Sequence, residues 1–213
     1  MRPFLAVLLV ATACARPAPP AVPAQEVDGT TAHRIVRAAV LRDADLPGYT
    51  RDTDEASRAG RVGSCLTQGA APITDRSTAF DRGGVQIVSG AAVARTLAAV
   101  REEEAFMRDE FPQCFERFLT FVFAQADLTV TKYRSTPFRV RVPRADATFG
   151  YRIDMTARAN GRSVPVSAAA VAATAGHTEL LLVTSAVRAP LPDRARLTAL
   201  LTKMVTRARA AER

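Results

Sequence analysis

The chain lacks the sequence motifs of the common enzyme and metal-site classes. It has no tryptophan, two histidines and three cysteines in 213 residues. No G-x-S-x-G, H-E-x-x-H, C-x-x-C or P-loop pattern occurs in it. His33 falls in a predicted helix and His177 at a predicted solvated turn, and neither has the sequence partners of a base or a zinc ligand. The sequence therefore predicts no catalytic residue, no metal site and no cofactor.

The chain also lacks a hydrophobic run of the roughly 20 residues that cross a bilayer as a helix. The apolar segment 4–13 is about half that length and follows one positive charge, which predicts a signal peptide over residues 1–13. Residues 11–13 fit ordinary signal cleavage, and together with Cys14 they also resemble a bacterial lipobox. In the second case Cys14 is acylated and anchors the protein at the outer face of the cytoplasmic membrane. In the first case the protein is secreted.

The chain has only three cysteines. In an exported protein an uneven number of cysteines leaves one thiol without a disulfide partner. If Cys14 carries lipid, Cys65 and Cys114 can form one disulfide and no thiol is left over. That bond would close a loop of about 50 residues and stabilise the fold by about 4 kcal/mol in the chain-entropy model. The alternatives are a Cys14 removed with the signal peptide and two buried free thiols. We expect lipidation of Cys14 and a Cys65–Cys114 disulfide.

Positive charge is in excess, and nearly all of it is arginine. The net charge is +8 and the sequence pI is about 10.4, with lysine only at Lys132 and Lys203. An exported chain without a basic run interleaved with aromatics predicts no nucleic-acid partner. Anionic phospholipid, a small anionic ligand or an envelope polymer fits such a surface better.

One group of arginines and tyrosines lies on predicted strands or at their edges. Arginine presents five donors that match carboxylate and phosphate groups, so these residues are candidate ligand-binding residues. The other interpretation is that they form the solvated polar face of a sheet. The set comprises Tyr133, Arg134, Arg139, Arg141, Tyr151 and Arg152.

Three adjacent glutamates follow Arg101 in a segment of helical periodicity. Neighbouring residues on a helix point in different directions, so these carboxylates do not converge on a common point. The pattern predicts a solvated helix face over residues 101–104.

The hydrophobic pattern predicts a single domain over residues 29–213, after a Pro/Ala-rich linker over 14–28. A first helix is predicted to start at a cap at Thr30 or Thr31. The apolar residues return to helical spacing after Val93, which predicts a further helix there. Strand patterns surround Gly83-Gly84, and three antiparallel strands are expected between about 148 and 187, with turns at 160–161 and 176–177. Asp193 is the expected cap of a final helix. The fold class is α+β, with an antiparallel sheet flanked by two or three helices.

Several short motifs occur together in this order. The linker leads to "ADLPGY", then to "TAFDRGG", then to the helix "ARTLAAVREEEAFMRDEFPQCFERF" and to "FGYR" near the closing hairpin and helix. They resemble actinobacterial lipoproteins of the sensor-domain type, which are similar to the extracellular domain of a mycobacterial receptor serine/threonine kinase. The resemblance implies an antiparallel sheet with flanking helices and a cleft that binds a ligand. The chain departs from the kinase in having no kinase domain, no membrane-spanning helix and two candidate disulfide cysteines in place of four.

Three functional interpretations follow from the sequence. The first is a membrane-anchored extracytoplasmic lipoprotein that binds or senses a ligand in a cleft between sheet and helices. The second is a scaffolding lipoprotein of the envelope whose partner is another protein. The third is an envelope hydrolase, which would need a nucleophile, a base and an orienting group within hydrogen-bond reach.

Overall fold

The computed structural model describes residues 26–52, 72–124, 128–159 and 162–213. Within these ranges lie the helices α1 (Gly29–Ala39), α2 (Leu97–Asp109), α3 (Phe111–Ala124) and α4 (Arg194–Glu212). The strands are β1 (Thr50–Asp52), β2 (Thr74–Arg82), β3 (Val85–Val93), β4 (Thr129–Pro137), β5 (Ala147–Ala159), β6 (Arg162–Ala175) and β7 (Thr178–Val187). Cys14, Cys65 and the predicted turn at 160–161 lie outside the described residues, as do the predicted signal peptide and nearly all of the linker.

The seven strands form one antiparallel sheet in the order β1-β2-β3-β7-β6-β5-β4. The predicted strands around Gly83-Gly84 are β2 and β3, joined by a turn in which both glycines have positive φ (59° and 80°). The three strands expected between 148 and 187 are β5, β6 and β7. The α+β class and the antiparallel sheet are confirmed.

The expected number of helices was wrong, because the described residues contain four. The segment 97–124 forms two helices, since α2 ends at Asp109 with Glu110 as its C-cap and α3 starts at Phe111. Pro112 explains the break: its ring excludes it from a helix interior, but the first turn of a new helix accepts it. None of the described helices has the length and apolar character needed to cross a membrane.

Helices cover both faces of the sheet. On what we call the first face, α1 and α4 pack on β2, β3, β6 and β7 around Ile35, Leu182 and Met204, all fully buried. On the second face, α2 and α3 pack on β4 to β7 through Phe106, Phe111 and other buried residues. Among the described residues the two large hydrophobic clusters therefore lie one on each side of the sheet.

Side-chain caps set the helix starts. Asp193 caps α4 as predicted and accepts a 2.7 Å hydrogen bond from the backbone N of Arg196. The predicted threonine cap of α1 was wrong: Asp28 caps this helix and accepts a 3.0 Å bond from the backbone N of Thr31. The ionised carboxylate accepts this backbone bond more strongly than the protonated acid, which lowers the pKa of Asp28.

A buried ion pair attaches the segment after α1 to α4. Asp45 is 6% exposed and lies in a short 3-10 helix over Asp43–Asp45. Its carboxylate accepts bonds of 2.7 and 2.8 Å from both terminal nitrogens of Arg207, and Lys203 Nζ lies 3.4 Å away. Burial alone would raise the pKa of Asp45, but the bonds from Arg207 and from the backbone of Arg42 lower it to about 2.

Candidate functional site

The strand alternation divides the predicted ligand-binding residues between the two faces. Tyr133 on β4 and Tyr151 on β5 point to the second face, beneath α2 and α3. Tyr133 donates a 3.0 Å hydrogen bond to the carbonyl of Pro112, and Tyr151 donates a 2.7 Å bond to that of Met107. Burial and the charge of Glu116 raise the pKa of Tyr133 to about 12. The two tyrosines thus bind the junction between α2 and α3 and do not share a surface with the predicted arginines.

Arg134 and Arg152 point to the opposite, first face. In the β4–β5 register Arg134 lies opposite Asp154, and Arg152 lies opposite Thr136, so the two arginines are neighbours on adjacent strands. The same alternation adds two cations that the sequence reasoning did not select. We call the four exposed residues Lys132, Arg134, Arg152 and Arg158 the basic sheet face.

Within the described part of the chain the basic sheet face is uncovered, because the helices of the first face stop before reaching it. α1 and α4 pack on β2, β3, β6 and β7, and among the described residues no helix covers the outer halves of β4 and β5 on this side. An uncovered strand face must be polar, which accounts for the alternation of cations with buried apolar residues. The sequence signal was an even spacing along each strand: Lys132 is two residues from Arg134, and Arg158 is six residues from Arg152, so each pair shares a strand face.

Negative charge on this surface is limited. Asp154 is the acidic residue between the cations, with Arg152 Nε 3.4 Å from its Oδ2 and a 3.1 Å bond from Ser167 to its Oδ1. Within the described residues, Lys132, Arg134 and Arg158 have no carboxylate within ion-pair distance. The surface therefore keeps an excess of positive charge and of free donors.

Arg139 and Arg141 lie on the connection between β4 and β5. This connection crosses the first face beside the basic sheet face, because Val140 and Val142 are buried in its core. It passes so close to β5 that a Cβ on Gly150 would lie 2.7 Å from the carbonyl oxygen of Phe138. Arg139 and Arg141 themselves are exposed. The predicted set is thus brought partly together: its arginines share one side of the sheet, and its tyrosines lie on the other.

Two open pockets flank this connection. One, of about 450 Å³, is lined by Arg141, Pro143 and Thr148 among others. The other, of about 510 Å³, is lined by Arg144, Asp146, Arg209 and Glu212 among others. Arg144 has a φ of 66°, in the left-handed region that a non-glycine residue seldom adopts.

An internal network forms one wall of the larger pocket. Arg209 donates a 2.6 Å bond to Asp146, and its other terminal nitrogen lies 3.5 Å from Glu212. Asp146 accepts a 2.7 Å bond from the backbone N of Gly176. Glu212 Oε1 lies 3.4 Å from Nδ1 of His177. The network joins the end of α4 to the β6–β7 turn.

His177 lies at the expected turn, but it is not solvated as predicted. It is 8% exposed, because the end of α4 packs over the turn. Its Nε2 is buried without a hydrogen-bond partner among the described residues. His33 is exposed, and its Nδ1 lies 3.1 Å from the hydroxyl of Thr74. In the described ranges no set of His, Cys, Asp and Glu side chains is arranged to hold a metal ion.

The solvated helix face predicted over residues 101–104 is only partly present, because Arg101 and Glu102 are exposed but Glu103 and Glu104 face the sheet. Glu103 is 5% exposed, and Glu104 accepts a 2.5 Å bond from the hydroxyl of Thr174 on β6. Burial raises the pKa of Glu103 to about 7. Burial and the charges of Glu103 and Glu104 raise the pKa of Glu179, on β7, to about 8. The sequence signal was the placement of Glu104 in the same helical stripe as Val100 and Met107, both buried.

No family model and no curated protein sequence matches the chain. Among solved structures it is similar to the extracellular domain of PknH from Mycobacterium tuberculosis, with 12% identity and a TM-score of 0.46 over 87% of this chain and 98% of that one. It is also similar to the Ran-binding protein Mog1p of Saccharomyces cerevisiae, with 14% identity and a TM-score of 0.36 over 76% and 85% of the two chains. An uncharacterized protein from Mycobacterium smegmatis has 10% identity and a TM-score of 0.36 over 82% and 96%. Similarity of this degree shows neither a shared ligand nor a shared activity.

Proposed function

We propose that this protein is a lipid-anchored extracytoplasmic binding domain, without enzymatic activity, that recognises an anionic phospholipid headgroup through its basic sheet face. Acylated Cys14 tethers the domain to the outer face of the cytoplasmic membrane through the linker 14–28. A Cys65–Cys114 disulfide stabilises the domain; the described partner, Cys114, lies in α3 and is 7% exposed.

The observation that supports this function is the excess of unpaired cations on a bare sheet surface. Lys132, Arg134 and Arg158 have no carboxylate within ion-pair distance among the described residues, and no described helix covers them. Arginine and lysine in this arrangement offer several donors to phosphate oxygens along two adjacent strands. Arg139 and Arg141 extend the positive surface along the connection.

The expected affinity is low but sufficient for a tethered protein. Each cation near an anionic membrane contributes about 1 kcal/mol, and Asp154 offsets Arg152, so the three unpaired cations give about 3 kcal/mol, a dissociation constant of about 6 mM. A tether of this length supplies an effective concentration of roughly millimolar order. The anchor and the surface would therefore act together, and the surface contribution would decrease with salt.

Vesicle flotation tests the surface. The full-length Cys14→Ala chain, which lacks the tether, is expected to float with phosphatidylglycerol vesicles but not with phosphatidylcholine vesicles. An Arg134→Gln/Arg158→Gln variant should lose about 30-fold in partition coefficient, since two contributions of about 1 kcal/mol are removed. The matched control is Arg34→Gln/Arg37→Gln, which removes the same charge from exposed positions on α1.

The outcomes separate the alternatives. Equal losses in both double variants would show that net charge, and not this surface, determines binding. Absence of flotation with phosphatidylglycerol would contradict the proposal. Competition by glycerol 1-phosphate at millimolar concentration would show that a single phosphate ester is recognised, and no competition would show that a lipid surface is required.

Lipidation of Cys14 is tested separately, by the mass of the mature protein. Native mass spectrometry of the full chain from an actinobacterial membrane fraction should give a diacylglycerol-sized mass increase on Cys14. The increase should be absent from the Cys14→Ala variant. A mature chain that begins after Cys14 would show that residues 1–14 are only a discarded signal.

A further inference from the structure

Three carboxyl groups meet between α2 and the sheet, at the β6–β7 end of the second face. Glu104 is bonded to Thr174 on β6, and Thr174 pairs with Glu179 across the β6–β7 ladder. Glu103, one residue earlier on α2, is 5% exposed, and its Oε1 is buried without a hydrogen-bond partner among the described residues. These groups come from two separate elements and are held together only by the packing of α2.

No described cation faces this cluster. The electrostatic neighbours of Glu179 are Glu103 and Glu104, and both act against its ionisation. The elements packed around α2 supply aromatic groups, with Tyr151 from β5 and Phe111 from α3, and Ala92 of β3 pairs with Glu179. A buried carboxylate without a cation or several donors is costly, whereas a protonated carboxyl is tolerated.

We propose that Glu103 and Glu179, beside Glu104, form a proton-sensing site that keeps α2 on the sheet when Glu103 and Glu179 are protonated and loosens α2 when they are ionised. Loosening is favoured because the carboxyl groups separate and gain water only when α2 moves away from β6 and β7. α2 carries Phe106 and Met107 into the second core, and its last carbonyls accept the Tyr151 hydroxyl. Movement of α2 would therefore open the second face without disturbing the basic sheet face.

The direction of the pH effect follows from the protonation states. Burial raises the pKa of Glu103 to about 7, and burial with two neighbouring carboxylates raises the pKa of Glu179 to about 8. A carboxyl group with a raised pKa in the closed state stabilises that state at low pH, and the contribution is lost as the pH rises through the folded value. For Glu103 alone, the opening equilibrium should increase about tenfold between pH 6 and pH 9.

Hydrogen exchange of the full-length chain in detergent tests this site. After correction for chemical exchange, protection of the α2 amides should fall at least about tenfold between pH 6 and pH 9 relative to α4. In a Glu103→Gln/Glu179→Gln variant the pH dependence should disappear, because both amides stay neutral. Glu102→Gln, which changes an exposed neighbour on the same helix, should behave like the wild type.

Two results would overturn the proposal. One is α2 protection that does not change with pH in the wild type, or that changes equally in the Glu103→Gln/Glu179→Gln variant. The other comes from carbon-13 titration of the side-chain carboxyls, which does not depend on any variant folding. Midpoints for Glu103 and Glu179 both close to the ordinary value of 4.5 would exclude the site. Neither result bears on vesicle binding, which the first face mediates.

Discussion

Replacing Asp45 by asparagine tests the ion pair that joins the segment after α1 to α4. The substitution removes a charge from a site that is 6% exposed and leaves Arg207 facing a neutral group. Breaking a buried pair by removing one partner costs about 3–5 kcal/mol. The asparagine oxygen can still accept the backbone bond from Arg42, so we expect a cost of about 3 kcal/mol. For a domain of this size the melting temperature should fall by roughly 10 °C.

The pH dependence of the unfolding free energy provides an independent measure of what this ion pair contributes to stability. The pKa of Asp45 is lowered from 3.8 to about 2, which corresponds to about 2 kcal/mol of stability. That contribution is fully present above the unfolded pKa and is lost as the pH falls through the folded one. The cost of Asp45→Asn should therefore shrink by about 1 kcal/mol between pH 7 and pH 3.

Urea denaturation of the wild type and the variants at both pH values measures these costs. The matched control is Asp43→Asn in the same 3-10 helix, whose carboxylate is 74% exposed and 3.1 Å from Arg51. An exposed pair of this kind contributes at most about 1 kcal/mol. A cost below about 1 kcal/mol for Asp45→Asn at pH 7, or a cost that grows as the pH falls, would refute the reasoning.

Two further substitutions test the packing around the site. Gly150→Ala would place a Cβ 2.7 Å from the carbonyl oxygen of Phe138 and should destabilise the domain by about 1–3 kcal/mol. The control is Gly90→Ala, whose Cβ meets nothing within 4 Å and which should cost much less in the same denaturation assay. Tyr151→Phe removes the hydroxyl that bonds the end of α2 and should destabilise the domain by about 1 kcal/mol. Hydrogen exchange should increase in α2 and stay unchanged in α4. Unchanged exchange in α2 would show that the hydroxyl does not hold the helix.

The local hydrophobic pattern of the sequence was sufficient to predict much of the fold. The two-residue alternation and the turn at Gly176 predicted β6 and β7, and the stripe Leu197, Leu200, Leu201, Met204 and Ala208 predicted the buried face of α4. These features depend on residues that are close in the chain, so their periodicity reports them directly. The number of helices was missed because the apolar segment after Pro112 is compatible both with a second helix and with a strand.

The candidate site was predicted in part, and the reason lies in the sheet. Tyr133 and Arg134 are adjacent in the sequence, and a strand necessarily sends them to opposite faces. The sequence did not say which face the helices would cover, so it could not separate the buried tyrosines from the exposed arginines. The same limit hid Asp45, whose partner Arg207 is 162 residues away.

By itself, then, the sequence determined the elements with strong local periodicity, the α+β class, and the excess of arginine that makes an exposed strand face positive. Only the tertiary structure decided that Glu103 and His177 are buried and that no described helix covers the basic sheet face on β4 and β5. Burial is a property of what packs on a residue from distant parts of the chain. A charged residue in a helix looks the same in sequence whether water or a sheet lies above it.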